Sequence, residues 1–284
     1  MRKINPLDVL VIGAGLGGLY MQYRLREEGF SAHMLEAGAD VGGTWYWNRY
    51  PGARCDIESI LYSFSISTEL EQEWEWTERF AAQPEILRYL SHVADRFSLR
   101  EHISFNTRVS SARYSAARNS WTAVTDAGDE FEARFFITAV GCLSVGNIPD
   151  LPGLASFTGR AFPTGRWPHE PVRFAGQRVG VVGTGSSGVQ LIPQVAEEAD
   201  RLFVFQRTAN LTLPARNRPL EPDEIARAKR CYSALRDLCR QGLISGAGDA
   251  LLSAEQRTPV RKACSTWMNE RAIKPLRKGG SMVA

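Results

Sequence analysis

The chain has 284 residues, 44% hydrophobic and 23% charged, which fits a soluble globular protein and excludes a disordered, collagen-like or disulfide-scaffold chain. Lys and Arg number 34 against 31 Asp and Glu, and the net +3 is spread along the chain, so charge points to neither nucleic acid nor a membrane surface. The five cysteines (Cys55, Cys142, Cys231, Cys239, Cys264) form no C-x-x-C pair, and the four histidines are dispersed, which argues for reduced thiols and against a metal site. No apolar run reaches membrane-spanning length, and Met1-Arg2-Lys3 leads into a strand pattern, so a cytoplasmic protein is expected.

Asp8 to Ile12 is a short apolar, β-branched run of the kind that forms a buried parallel strand. It stops at Gly13-Ala-Gly-Leu-Gly-Gly18, after which Leu16 to Glu28 carries a helical pattern and Ser31 to Glu36 a second strand. A Gly- and Trp-rich segment fills Gly42 to Ser59, and Pro84 opens a helix reaching Phe97. Three strands are predicted next, over Ile103–Tyr114, Trp121–Thr125 and Glu130–Val140, as an antiparallel meander ending in an apolar strand. The Pro/Gly cluster from Gly146 to Gly153 marks a boundary. Arg178 to Val182 then repeats the opening strand, followed by Gly183-Thr-Gly-Ser-Ser-Gly188, a helix to about Glu198 and a strand over Leu202–Phe205. Polar helix follows over Pro222–Arg240, and a basic stretch runs from Lys262 to Lys278. The expected organisation is a first nucleotide-binding domain over 1–150, a second over 151–213 and a helical segment over 214–284.

A glycine-rich turn between strand and helix suits a dinucleotide because its backbone closely approaches a pyrophosphate and the helix N-terminus presents free N–H groups and a positive dipole. G-x-G-x-x-G alone also describes ordinary tight turns. Here Gly13, Gly15 and Gly18 follow a strand and open a helix, and Glu36 lies 21 residues past Gly15, where a carboxylate accepts from the adenosine ribose hydroxyls. The second copy, Gly183, Gly185 and Gly188, leads instead to Gln206-Arg207-Thr208. A guanidinium there suits a 2′-phosphate, although Arg207 also reads as a solvated basic residue. NADP is therefore assigned to the second turn. Two turns with different chemistry imply two cofactors, and the simplest pairing is NADPH reducing FAD.

Gly43 to Ser59 reads GTWYWNRYPGARCDIES, and with both glycine turns it closely resembles the Baeyer–Villiger monooxygenases, class B flavoproteins of the phenylacetone monooxygenase type. Further matches are Gln83–Leu90, Gly183–Gln190 and Phe205–Arg216, and the likeness runs from about Asp8 to about Arg218. The resemblance implies two Rossmann-like α/β domains of the glutathione-reductase type, binding FAD and NADPH. Residue by residue, it places Gly13, Gly15, Gly18, Glu36, Thr44, Trp45, Tyr62 and Val109 at FAD. Tyr46 and Trp47 are assigned to packing. Asp56 matches a carboxylate beside the flavin that orients an active-site arginine, and Arg54 to Asp56 match positions near the nicotinamide. Thr184, Gly185, Ser186, Ser187, Gly188, Gln190, Arg207 and Thr208 match the NADP site. The implied reaction is hydride transfer from NADPH to flavin, formation of a C4a-peroxide with O2, and insertion of one oxygen into a ketone to give an ester or lactone.

Two departures qualify the resemblance. The family fingerprint Phe-x-Gly-x-x-x-His-x-x-x-Trp-Pro/Asp is met by Phe157, Gly159, Trp167 and Pro168, but Pro163 stands where the histidine belongs. That exchange removes a hydrogen-bonding ring and a backbone N–H, and impaired coupling of reduction to oxygenation is expected. The partner arginine of Asp56 and the later strands of both domains are expected beyond this sequence, so each domain reads as incomplete, with a truncated or divergent end around Cys264–Lys278. An N- or S-oxygenating flavin monooxygenase and an inactive nucleotide-binding remnant are the alternatives.

Overall fold

The computed structural model describes residues 7–143, 146, 148–210, 212 and 214–240. The chain divides into two compact units, Met1–Asp56 with Phe80–Asn217 and Ile57–Arg79 with Arg218–Ala284. The helical segment beyond residue 240, with the basic stretch from Lys262, lies outside the described residues.

The elements in chain order begin with β1 (Leu7–Ile12), α1 (Leu16–Glu27) and β2 (Ala32–Leu35), then α2 (Thr44–Trp47), α3 (Thr68–Glu73) and α4 (Gln83–Arg96). Four strands follow: β3 (Ile103–Ser104), β4 (Val109–Ser115), β5 (Ser120–Thr125) and β6 (Glu130–Thr138). The last elements are β7 (Arg178–Val182), α5 (Ser186–Glu198), β8 (Arg201–Phe205) and α6 (Pro222–Arg240).

In the first unit, β1 to β6 form one sheet in the order β3-β2-β1-β6-β5-β4. Val9, Leu10 and Val11 are buried, the environment that an uninterrupted apolar strand requires. α4 presents Ile86, Tyr89, Leu90, Val93 and Ala94 to the interior at helical spacing, with Pro84 in its first turn. β6 has two partners: Glu130–Ala133 pair antiparallel with β5, and Ala133–Thr138 run parallel to β1. A single strand therefore belongs to both the parallel layer and the meander.

The predicted strand over Ile103–Tyr114 is two strands. Ile103 and Ser104 run parallel to β2, and pairing resumes only at Val109, against β5. Asn106, at φ 52°, breaks the extended path. Its N–H donates to Gly38 O at 2.9 Å, and the N–H of Thr107 donates to Glu36 O at 2.8 Å. The predicted apolar strand is also not covered throughout, since Phe135 is 50% exposed.

β7 and β8 pair in parallel, and among the described residues they form a two-stranded sheet. α5 covers it through Leu191 and Val195, in a core shared with Tyr50, Ala53, Trp167, Phe174 and Val181. In the second unit, α3 and α6 pack together around Leu70, Trp76, Ala228, Tyr232 and Leu235. Arg236 joins Glu71 at 2.7 Å and donates to Ser63 O at 3.0 Å. Burial pushes the Tyr232 hydroxyl up to about 12, against the opposing pull of Arg236.

Candidate functional site

Both glycine turns sit at the carboxyl end of the first strand of a βαβ unit, where ligands bind in open α/β sheets. Each third glycine has a steric reason. A Cβ on Gly18 would lie 1.8 Å from Gly13 O, and one on Gly188 would lie 2.3 Å from Gly183 O. The missing side chain thus makes room for the carbonyl of the turn's own first residue. α1 and α5 begin at Gly15 and Gly185 with no side-chain cap and no acid in the first turn. Their first N–H groups are left for a ligand, and the dipole favours an anion.

Glu36 is 5% exposed and links the first turn to β2. Its Oε2 accepts the N–H of Ala14 at 2.6 Å and its Oε1 accepts the N–H of Gly38 at 2.7 Å. A carboxylate has about four acceptor positions, so two remain for ribose hydroxyls. The chain leading into Val109 passes Glu36 through the Thr107 bond, and Val109 packs on the cluster of Leu10, Leu35 and Phe131.

The Gly- and Trp-rich segment continues this end of the unit. Gly42 donates its N–H to Ala14 O at 2.9 Å, and a Cβ on Gly43 would lie 2.7 Å from Gly15 Cα. Thr44 opens α2 and is half-buried, while Trp45 is buried and its carbonyl accepts from Gln83 Nε2. Tyr46 and Trp47 meet edge to face at 4.9 Å, and the Tyr46 hydroxyl accepts the N–H of Ala39. Arg49 lies over the Tyr46 ring and donates to His169 Nδ1 at 2.9 Å.

Gln190 of α5 holds the same segment. Its Nε2 donates to Arg54 O at 3.0 Å, and its Oε1 accepts from Tyr50 Oη at 2.9 Å and from the N–H of Arg54 at 3.3 Å. The Arg54 guanidinium donates to Phe80 O at 2.8 Å. Asp56 is exposed, with no ion pair or hydrogen bond among the described residues.

At the second turn, Thr184 is braced by two side chains that spacing did not single out. Gln206 Nε2 donates to Thr184 Oγ1 at 2.8 Å, and Asn210 Nδ2 donates to Thr184 O at 2.5 Å. Gly185 and Ser186 are exposed, Ser187 and Gly188 half-buried, and Arg207 and Thr208 exposed. A Cβ on Gly185 would meet nothing within 4 Å, which leaves open space at the helix start for a pyrophosphate. Pro163 opens a 3-10 turn over Thr164–Arg166 at φ −67°, and Trp167 is buried against Phe162 and Phe174. Tyr62 belongs to the second unit, where its N–H donates to Glu58 O at 3.0 Å. The structure thus groups Glu36 with the first turn, Thr184 and Gln206 with the second, and Arg54 with Gln190. Tyr50, Gln206, Asn210 and His169 were missed. Counting 21 residues from Gly185, as from Gly15 to Glu36, would have found Gln206.

The comparisons agree with this geometry. The flavin-binding monooxygenase-like family model matches residues 7–249. A Baeyer–Villiger monooxygenase of Pseudooceanicola batsensis is 41% identical over 257 residues, 90% of this chain and 47% of the relative. A cyclohexanone 1,2-monooxygenase of Acinetobacter is 42% identical over 267 residues, 92% of this chain and 49% of the relative. An oxidised steroid monooxygenase bound to NADP matches with a TM-score of 0.80 and 55% identity, over 84% of this chain and 45% of that one. Solved structures of this group hold FAD and NADP. The chain spans about half the length of the curated relatives it matches. Among the described residues no helix is long and apolar enough to cross a membrane. Two Rossmann-like βαβ motifs and the family-model match over residues 7–249 make this chain a member of the flavin-binding monooxygenase-like family.

Proposed function

We propose that this polypeptide provides the dinucleotide-binding part of an FAD- and NADPH-dependent monooxygenase that inserts one oxygen atom of O2 into ketones, giving esters or lactones. The observation that carries this reading is the pair of uncapped glycine turns in one compact unit, with a carboxylate at the first and a neutral amide at the second. Names of relatives support the substrate class, since one is a cyclohexanone monooxygenase.

Both turns fit a dinucleotide. FAD, when bound, supplies the oxygen-activating chemistry that amino-acid side chains lack. Gly13, Gly15 and Gly18 approach its pyrophosphate, Glu36 accepts from its ribose, and Thr44, Trp45, Tyr62 and Val109 are the remaining contacts in this reading. Thr184 to Gly188 and Gln190 receive NADPH, with Arg207 and Thr208 at the 2′-phosphate. Gln190 has both carbonyl lone pairs and one N–H engaged by Tyr50 and Arg54, so one N–H remains for a cofactor. Its larger part is to hold Tyr50 and Arg54 against α5. Asp56 is the catalytic carboxylate of this reading, which would orient a cation toward developing negative charge.

The test is direct. The purified chain, supplied with FAD and NADPH, is expected to retain flavin colour and to bleach on NADPH addition, and an enzyme that contains it is expected to convert cyclohexanone to its lactone. A sulfoxide from a thioether without lactone would support the S-oxygenating alternative. Failure to bind either nucleotide would support the remnant.

A further inference from the structure

Residues 157–174 form a strap that leads toward β7. Trp167 anchors it in the second βαβ unit, in one core with Phe174, Val181, Leu191 and Val195. Two residues on, the strap meets the segment that follows the first turn. His169 Nδ1 lies 2.9 Å from Arg49 Nη1, and its ring meets Tyr46 edge to face at 5.8 Å. Gly165 passes the end of α2 as well, since a Cβ there would lie 3.8 Å from Asn48 Oδ1. A guanidinium only donates, so His169 Nδ1 is the acceptor and the neutral ring carries its proton on Nε2. The contacts continue inward. Arg49 Nε donates to Tyr46 O at 3.0 Å, and the guanidinium lies 5.0 Å from the centre of the Tyr46 ring. The Tyr46 hydroxyl accepts the N–H of Ala39 at 3.1 Å, and the N–H of the preceding Gly38 is on Glu36 Oε1 at 2.7 Å. With Pro163 at the fingerprint position, His169 is the strap's only imidazole.

We infer that His169 is a positioning residue that couples the two nucleotide sites, tying the strap anchored at α5 and β7 to the segment that follows the first turn. The inference rests on the proposed function, which gives each turn a dinucleotide. A ligand that orders α5 and β7 holds Trp167, and through His169 it holds Arg49, Tyr46 and the loop at Glu36. Ordering at one site then lowers the cost of ordering at the other, and such a coupling free energy acts equally in both directions. Gln190 holds the segment further along, at Tyr50 and Arg54. Loss of the His169 contact is therefore expected to weaken the coupling while both turns keep their own shape.

His169→Ala removes the acceptor, and His169→Asn restores one at the position of Nδ1. FAD affinity of the full chain is read by flavin fluorescence with and without saturating NADP+, and NADP+ binding by calorimetry. In wild type NADP+ is expected to tighten FAD. In His169→Ala that factor is expected to fall about twofold to tenfold, the equivalent of one hydrogen bond, with FAD affinity in the absence of NADP+ held. His169→Asn is expected to recover it. Should His169→Ala not fold, as judged by its thermal transition, His169→Phe takes its place, because it keeps a ring against Tyr46 and lacks the acceptor. An unchanged factor in the folded variant, or equal weakening of FAD with and without NADP+, would overturn the inference, and so would loss without recovery in His169→Asn. A wild type that binds both nucleotides independently would overturn it too, with the proposed function left standing. Wild type binding no FAD or no NADP+ would overturn the proposed function and the inference with it, which distinguishes the two failures.

Discussion

Gln190 grips Arg54 by its backbone, donating to its carbonyl at 3.0 Å and accepting its N–H at 3.3 Å. The pair is 136 residues apart in sequence, and the same amide oxygen accepts the hydroxyl of buried Tyr50. A helix of the second glycine unit thereby fixes the segment that follows the first. The contact makes three hydrogen bonds from one side chain, and any apolar replacement removes all three.

Gln190→Leu is expected to destabilise the chain by about 1–3 kcal/mol, because the Arg54 amide and carbonyl and the Tyr50 hydroxyl lose their partner. Tyr50→Phe is expected to cost about 1 kcal/mol, having removed its own donor. The double variant should cost less than the sum, because the residues share one bond. Urea unfolding of the four chains checks the cycle; strict additivity would show that the contact is not made.

Gly18 and Gly17 are neighbours with opposite expectations. In Gly18→Ala the new methyl meets Gly13 O, so the turn must open, at about 1–3 kcal/mol with loss of flavin retention. Gly17→Ala meets nothing within 4 Å in the same helix and should stabilise the apo chain by about 0.5–1 kcal/mol. Gly188→Ala should repeat the first effect at the second turn, lowering NADP+ affinity while flavin is retained. Thermal melts and flavin content decide the first two, and NADP+ titration with flavin content decides the third.

Glu36→Gln tests the carboxylate. Both oxygens of Glu36 accept backbone N–H groups, so an amide must turn its NH2 toward one of those donors. The variant is expected to lose about 1–3 kcal/mol and to release FAD. Glu36→Gln with full stability and full flavin content would remove Glu36 from the site.

His33 sets a pH dependence. Burial, with a smaller contribution from the charge of His102, holds its imidazole below the ordinary 6.5, and its Nε2 lies 2.8 Å from Ser104 Oγ. The unfolded chain therefore takes up a proton near 6.5 that the folded chain resists. The stabilising contribution is fully present above about pH 6.5 and is lost as pH falls from there through the lowered folded value. His33→Gln should flatten that part of the stability curve. Denaturant midpoints measured between pH 5 and 8 for both chains give the comparison.

Local chemistry made much of this protein legible. Apolar runs bounded by glycines mark β1 and β7, the 3.6-residue spacing of Ile86, Tyr89, Leu90 and Val93 marks α4, and the turns are recognisable because glycine alone tolerates their geometry. The segment from Gly43 to Ser59 carried the family likeness. Long-range pairing was not legible in the same way. Ile103–Tyr114 alternates like one strand, yet the bonds of Asn106 and Thr107 to Gly38 and Glu36 divide it between two edges. Ile57–Arg79 joins Arg218 onward in a compact unit, although the two stretches are far apart in the chain.

Composition and length describe a globular chain with nearly balanced charge, and the strand–glycine turn–helix motifs mark two Rossmann-like βαβ units within it. Those properties follow from bonds and sterics between near neighbours, which sequence spacing records. Which residue faces each turn is a matter of strand register. Register placed Gln206, not Arg207, opposite the second turn as Glu36 stands opposite the first. Which side chain holds Arg54 depends on a contact closed over more than a hundred residues, and only the folded chain brings Gln190 there. Such contacts form because packing leaves few positions where buried polar groups find partners, and that selection is made by the tertiary structure.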